Sequence, residues 1–431
     1  MKKTKIFYAV QVSNFTKTQY GPKWLLKNDA CTNIMKGIVS TVLDIREDYE
    51  FLIKLPNEYH CADITNLFEL FEEKYHKNIK FLRDDIPISP VVSRYHFDMN
   101  QFEQQHYLFR DIDIMINDEN TLTKNWKVFF KALNVDIPIV STNYFMDSPI
   151  SKKIDDIQTR YYERQMESLI ASDMFSYPVQ SALDEAMEAY SYLFRDMSLI
   201  EGKSTVWHVG AHYGEIKSEQ RNINETNDEP IIYFGNRITE TSGRYTNWHI
   251  FAEAIGRLYD RGVRPFKAVM LNPTKKIDID TLREIDHRSK GQVTVIENKS
   301  PFSREDYVKF INNADITCNL FTNEVHGGLT HIEGMMGQNI LIAPSVNDYK
   351  YKFENENIDY PYLVKSTSKE IDIEDFVDKL EMAIKDYDTD KGKYWKELCR
   401  DIAIKYESFE NSAPKIIEDL ETLKKHKLQT A

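Results

Sequence analysis

Short apolar runs alternate with longer amphipathic segments along most of this chain, and that alternation narrows its fold more than any other feature. A strand covered on both faces reads as a continuous apolar run. A helix-period segment between two such runs supplies the crossover that parallel strands need. In the first half the expected strands are Ile6–Val12, Tyr49–Ile53, Ile79–Phe81, Ile112–Ile116, Ile137–Ser141 and Ser172–Tyr177, with helices such as Thr32–Arg46, Ala62–Tyr75 and Ser181–Phe194. In the second half they are Thr205–Val209, Ile231–Phe234, Phe266–Leu271, Val293–Glu297, Ile316–Leu320 and Ile340–Ala343. Helices are expected there at Asn247–Arg261, Asp280–Ser289, Arg304–Asn313 and Gly328–Met336. The pattern predicts parallel sheets with helices on both faces.

The 431 residues exceed the roughly 250–300 at which a single core stops growing, so more than one domain is expected. The reading is an α/β chain of two doubly wound, Rossmann-like domains facing each other across a cleft, over residues 1–200 and 201–371. Helices of residues 372–431 are expected to pack on them. The polar run Gly214–Pro230 reads as a linker or hinge. Ligands of such sheets sit at the carboxyl ends of the strands, so the loops there are where chemistry is sought.

No stretch reaches the roughly 20 apolar residues that span a bilayer. The basic start Met1–Lys5 precedes a run too short for a signal peptide, with no cleavage site. Cys31, Cys61, Cys318 and Cys399 show no metal or disulfide spacing, so free thiols and a cytoplasmic location are expected. The formal charge of −13 excludes bulk attraction to polyanions. Residues 1–195 alone carry 23 Lys and Arg against 28 Asp and Glu, a net of 23 − 28 = −5.

The most informative stretch runs Glu324-Val325-His326-Gly327-Gly328-Leu329-Thr330-His331-Ile332-Glu333-Gly334-Met335-Met336-Gly337. Two glycines at a strand-to-helix turn let backbone N–H groups close on a phosphate, and the helix N-terminus adds its dipole. Glu333 falls about one and a half turns into the expected helix, where a carboxylate suits a ribose diol. The bland alternative is a βα turn whose glycines serve only packing.

This run resembles the His-Gly-Gly…Glu donor signature of nucleotide-sugar glycosyltransferases of the GT-B architecture. Its continuation into Pro344 is similar to the Glu-Ala-Met-x-x-Gly-x-Pro segment of retaining family-four enzymes. The resemblance implies that Glu333 holds the ribose, while His326, Gly327, Gly328, Leu329 and Thr330 line the diphosphate or sugar. Ile231–Arg237, with Gly235 before Asn236, looks like the strand plus Gly-Arg that opens the donor domain. In the family an Arg and, five positions on, a Lys neutralise the leaving diphosphate; Arg237 fits the first role. Ser242 stands at the second position, and Arg244 is the natural substitute. The family's two glutamates are separated by seven residues, but Glu324 and Glu333 are separated by eight. Either Glu324 bulges into the donor-sugar position, or His326 and backbone amides take it over.

On the acceptor side, the loop from Ser13 to Cys31 interleaves Phe15, Lys17, Tyr20, Lys23, Trp24 and Lys27. Aromatic planes beside cations suit sugars or unstacked bases, and snorkelling lysines on an ordinary loop are the alternative. Asn143 and Asp147, in the turn Thr142–Pro149, would contact an acceptor hydroxyl or cap a turn. Val209-Gly210-Ala211-His212 aligns with the family's interdomain turn, which would make His212 a cleft residue. The two D-x-D pairs, Asp111/Asp113 and Asp278/Asp280, read as a strand start and a helix cap. No metal or other cofactor is expected.

The resemblance implies a transferase moving a sugar from a nucleotide diphosphate-sugar to a hydroxyl acceptor, with retention. The acceptor would be a saccharide, a small molecule or a modified DNA base. The alternatives are a phage-type enzyme acting on hydroxymethylated pyrimidines, and an epimerase or binding protein of the same fold.

Overall fold

A computed structural model of the chain describes residues 3–10, 30–55, 67–82, 99–118, 120–143, 156–192, 195–208, 210–236, 238, 246–272, 277–297, 303–322, 329–367 and 370–430. They form two compact units. The first comprises residues 1–209 and 409–431, and the second residues 210–408. The expected limits were 1–200, 201–371 and 372–431, so the observed division lies elsewhere.

The first unit is built on a seven-stranded parallel sheet of β1 Thr4–Ala9, β2 Tyr49–Lys54, β3 Ile79–Leu82, β4 Ile114–Asn117, β5 Ile139–Thr142, β6 Met174–Tyr177 and β7 Ser204–Val206. The order is β3-β2-β1-β4-β5-β6-β7. Ile6 lies opposite both Phe51 and Ile114, so the central strand is covered by apolar neighbours in register. β4 and β5 are buried at every position, which is why their sequences lack a polar alternation.

β7 corrects the assignment of Thr205–Val209 to the second half. Val206 pairs with Tyr177 of β6, so this strand completes the first sheet. Its apolar run suits either sheet, and only the pairing decides. The helix Phe409–Thr430 also belongs here, because Asp419 accepts hydrogen bonds from Thr205 Oγ1 (2.8 Å) and Trp207 Nε1 (2.9 Å). Phe409, Ile416 and Leu420 share one core cluster with Ile34 and Ile38 of the helix Ala30–Ile45.

The second unit carries a six-stranded parallel sheet of β8 Ile231–Phe234, β9 Lys267–Asn272, β10 Val293–Glu297, β11 Ile316–Cys318, β12 Ile340–Pro344 and β13 Leu363–Val364. The order is β10-β9-β8-β11-β12-β13. Ile316 pairs with Ile232 on one side and Ile340 on the other. The segment 214–230, expected as a linker, lies inside this unit. Arg221 (2.8 Å), Asn227 (2.7 Å) and Lys396 (2.9 Å) converge on the fully buried Asp315 at the start of β11. Its polar composition therefore satisfies a buried carboxylate, which an apolar segment could not do.

Both sheets reverse their winding once, between β1 and β4 and between β8 and β11. These are the switch points at which doubly wound sheets open a crevice for ligands. No helix among the described residues is long and apolar enough to cross a membrane. Cys31, Cys318 and Cys399 are buried thiols.

One glycine sets the spacing beside the second crevice. A Cβ on Gly334 would overlap the Thr317 side chain of β11, so the helix Thr330–Met336 lies on the strand closer than any other residue permits. Gly334→Ala should destabilise the second unit by about 1–3 kcal/mol, as overpacking of a tight core does. Urea melts of the two proteins check this, and equal midpoints would refute the close approach.

Candidate functional site

The carboxyl ends of β8 and β11 carry a connected polar cluster. Gly235 and Asn236 follow β8, and Asn319 and Leu320 follow β11. Asn236 Nδ2 donates to Asn319 Oδ1 (3.2 Å), which also accepts from Tyr349 OH (2.6 Å). Thr330 Oγ1, at the start of the helix Thr330–Met336, lies 3.4 Å from both Asn236 Oδ1 and Asn319 Nδ2. A Cβ on Gly235 would meet Tyr233 OH at 2.8 Å and Thr330 Cβ at 3.0 Å, so the absence of a side chain lets the loop and the helix start touch. The structure thus brings Gly235 and Thr330, two of the expected donor-site residues, together. Leu329 is half-buried beside them.

Glu333 stands in the first turn of that helix, which begins at Thr330 rather than at the expected Gly328. Its carboxylate is therefore nearer the positive end of the helix dipole than the sequence suggests. It is 6% exposed. Oε1 accepts from Arg304 Nη1 (2.5 Å) and Oε2 from Tyr307 OH (2.9 Å). Arg304 turns its Nε (3.1 Å) and Nη2 (3.0 Å) to Glu215 Oε2. Burial alone would lower the Arg304 pKa, but Glu333 and Glu215 more than offset this and hold it above its ordinary value. Burial, reinforced by Glu333, pushes the Tyr307 hydroxyl well up, so it is a donor throughout the physiological range.

Arg304, Tyr307 and Glu215 were not singled out from the sequence. The sequence signal at Arg304 is the Ser303–Asp306 capping box, which starts the helix Arg304–Asn313 but says nothing of Glu333. Asn236 and Asn319 carried no signal beyond their place after a strand.

A buried ionic cluster begins at His331, the residue after Thr330. Lys352 Nζ is 2.5 Å from Asp348 Oδ2, 2.5 Å from Glu407 Oε1 and 3.3 Å from His331 Nε2. All four side chains are at most 2% exposed. His331, Asp348 and Glu407 are close enough to hold a metal ion, and the Lys352 ammonium lies among them. Of the D-x-D pairs, Asp113 Oδ2 accepts from Lys5 N (2.9 Å), and Asp278 Oδ1 caps a helix through Thr281 N (2.8 Å).

In the first unit, the carboxyl ends of β4, β5 and β6 gather a second polar group. Thr142 Oγ1 donates to Asp118 Oδ1 (2.9 Å), and Asn120 Nδ2 to Asn143 Oδ1 (3.0 Å). Asn143 N reaches Ser176 O at 2.8 Å. The buried Asn120 Oδ1 and Ser176 Oγ have no hydrogen-bond partner among the described residues. Asn143, an expected acceptor-side residue, thus belongs to a buried hydrogen-bonded group with Asn120 and Ser176, and Asp118 lies beside it through Thr142. His212 is half-buried in the second unit, just before the helix Tyr213–Lys217 that carries Glu215. Lys17, Tyr20, Lys23, Trp24, Asp147, Arg237, Arg244, Glu324, His326, Gly327 and Gly328 lie outside the described residues.

No protein-family model matches the chain. No curated protein matches it in sequence. Solved structures do match in fold. A glycosyltransferase from Rickettsia africae ESF-5 superposes with a TM-score of 0.64 at 14% identity, covering 98% of this chain and 99% of its own. Anabaena Alr3699/HepE in complex with UDP-glucose gives 0.59 at 12% identity, covering 97% and 99%. A UDP-N-acetylglucosamine 2-epimerase fold from Listeria monocytogenes gives 0.55 at 12%, covering 96% and 95%. The chain shares the α/β, two-domain GT-B fold with these structures.

Proposed function

We propose that this protein is a glycosyltransferase that moves a sugar from a nucleotide diphosphate-sugar to a hydroxyl acceptor. The observation that carries the reading is Glu333, a carboxylate in the first turn of the helix at the second switch point, on the motif that resembles the family's ribose-binding glutamate. The resemblance to retaining family-four enzymes supports retention. UDP-glucose in the Anabaena complex supports a uridine donor as the first to try.

In this reading Glu333 accepts the ribose hydroxyls, and Thr330 with the glycine turn faces the diphosphate and sugar. Arg237 and Arg244 neutralise the leaving diphosphate, so no metal is required. Glu324 or His326 contacts the donor sugar. The acceptor is held from the first unit, with Asn143 and the polar group around Asp118 as candidate contacts and Lys17, Tyr20, Lys23, Trp24 and Asp147 as further ones. His212 is assigned no step.

Thermal stabilisation against a panel of nucleoside diphosphates and their sugars tests the donor site. Saturation at a hundred times Kd adds about 2.7 kcal/mol to stability, which melting detects readily. A transferase then consumes the bound donor productively only when an acceptor is added, whereas an epimerase converts it alone. No stabilisation by any nucleotide would sink the reading.

A further inference from the structure

Arg304 and Tyr307 contribute nothing to the sequence motif, yet they take hold of both oxygens of its most informative residue. Arg304 opens the helix Arg304–Asn313, fixed there by the Ser303 capping box, and Tyr307 follows three residues on, on the same face. The guanidinium also lies over the Tyr307 ring, 5.4 Å from its centroid. Three short elements therefore meet at Glu333: this helix, the helix Thr330–Met336, and Tyr213–Lys217 through Glu215.

The hydrogen-bond inventory of the cluster is one-sided. Nε, Nη1 and Nη2 of Arg304 all donate to Glu333 or Glu215, and the Tyr307 hydroxyl donates to Glu333. A carboxylate has about four acceptor sites, and one site on each Glu333 oxygen is taken, so one on each remains. One Arg and two Glu leave the cluster negative. Its free capacity is for neutral hydroxyl donors, and it disfavours phosphate.

We infer that Arg304 and Tyr307 are positioning residues that aim Glu333 at a vicinal diol, and so set a preference for ribonucleotides over 2′-deoxyribonucleotides. This rests on the donor-site reading above. Neither residue touches the nucleotide. Each fixes one carboxylate oxygen, leaving the remaining lone pairs in a single orientation without reorganisation when the diol arrives.

Calorimetric titration of UDP, ADP and GDP, each against its 2′-deoxy counterpart, tests the inference. The wild-type protein should bind the ribonucleotide of the preferred base about tenfold or more tightly than its deoxy form, as a hydrogen bond to a charged group implies. In Arg304→Gln and Tyr307→Phe the ratio should fall towards one through loss of ribonucleotide affinity, with the affinity of the deoxynucleotide, which keeps only the 3′-hydroxyl, falling less. Arg304→Lys should restore it only in part, because an ammonium cannot fork between two carboxylates. A general structural defect would weaken both nucleotides alike. If Arg304→Gln does not fold, Tyr307→Phe removes a single oxygen atom and carries the same test. A wild-type ratio retained in the variants overturns the inference and leaves the donor-site reading standing, whereas a wild-type ratio of one overturns the inference and the ribose role of Glu333 with it. Failure of the wild-type protein to bind any of the six overturns that reading and this inference together.

Discussion

Replacing Lys352 by Met lowers the unfolding free energy of the second unit by about 3–5 kcal/mol at neutral pH, the range seen when one partner of a buried ion pair is removed. Lys352 is 2% exposed and is the cation between Asp348 and Glu407. Burial alone would lower its pKa, but these two carboxylates more than reverse that and raise it. Methionine fills much of the lysine volume, so the loss reports charge rather than a cavity. Scanning calorimetry or urea melts measure it, and a loss below about 1 kcal/mol would mean that the cluster is neutralised some other way.

The same cluster has a pH signature. Burial, with the Asp348 carboxylate beside it, pushes the Glu407 pKa up from 4.5 to about 8 against the opposing pull of Lys352. The native state then keeps a proton that the unfolded chain has lost. Stability from this group is fully present below about pH 4.5 and declines as the pH rises to about 8. Glu407→Gln, which keeps the shape and cannot ionise, should flatten that decline. Melting temperatures of the two proteins from pH 5 to 9 check the sign, and parallel curves refute it.

Glu333→Ala is expected to lower kcat/KM for sugar transfer by about 100-fold or more, since it removes a charged acceptor for two hydroxyls. The loss should fall mainly on donor affinity, because the ribose is remote from the reacting carbon. Arg304 keeps Glu215 as a partner in this variant, at 3.0 Å, so the fold should survive. Donor titration together with steady-state rates measures the effect. Unchanged turnover would show that the carboxylate only braces the helix against Arg304 and Tyr307.

Much of the architecture was legible in the residues. Most of the expected strands appear within a few residues of their predicted ends, because a doubly covered parallel strand must be apolar along its whole length. The contact between Gly235 and Thr330 was not legible, because the two glycine-bearing segments read separately along the chain and only the fold brings them together. The helix start was misplaced by two residues, because Gly328 and Leu329 fit the apolar period as well as Thr330 does. Arg304 was invisible for a different reason. It lies 29 residues from Glu333 and 89 from Glu215, with a whole strand and turn between, and no local pattern links them.

What the sequence determined by itself is therefore what depends on neighbours along the chain: strand and helix periods, the capping box, and the presence of a carboxylate early in one helix. Only the tertiary structure decided which sheet Ser204–Val206 joins, that the final helix returns to the first unit, that the polar segment 214–230 serves Asp315, and which cation holds Glu333. Each of these is a contact between residues far apart in sequence. An apolar run satisfies any sheet edge and a charge any opposite charge, so the choice among equal partners is made by packing the whole chain.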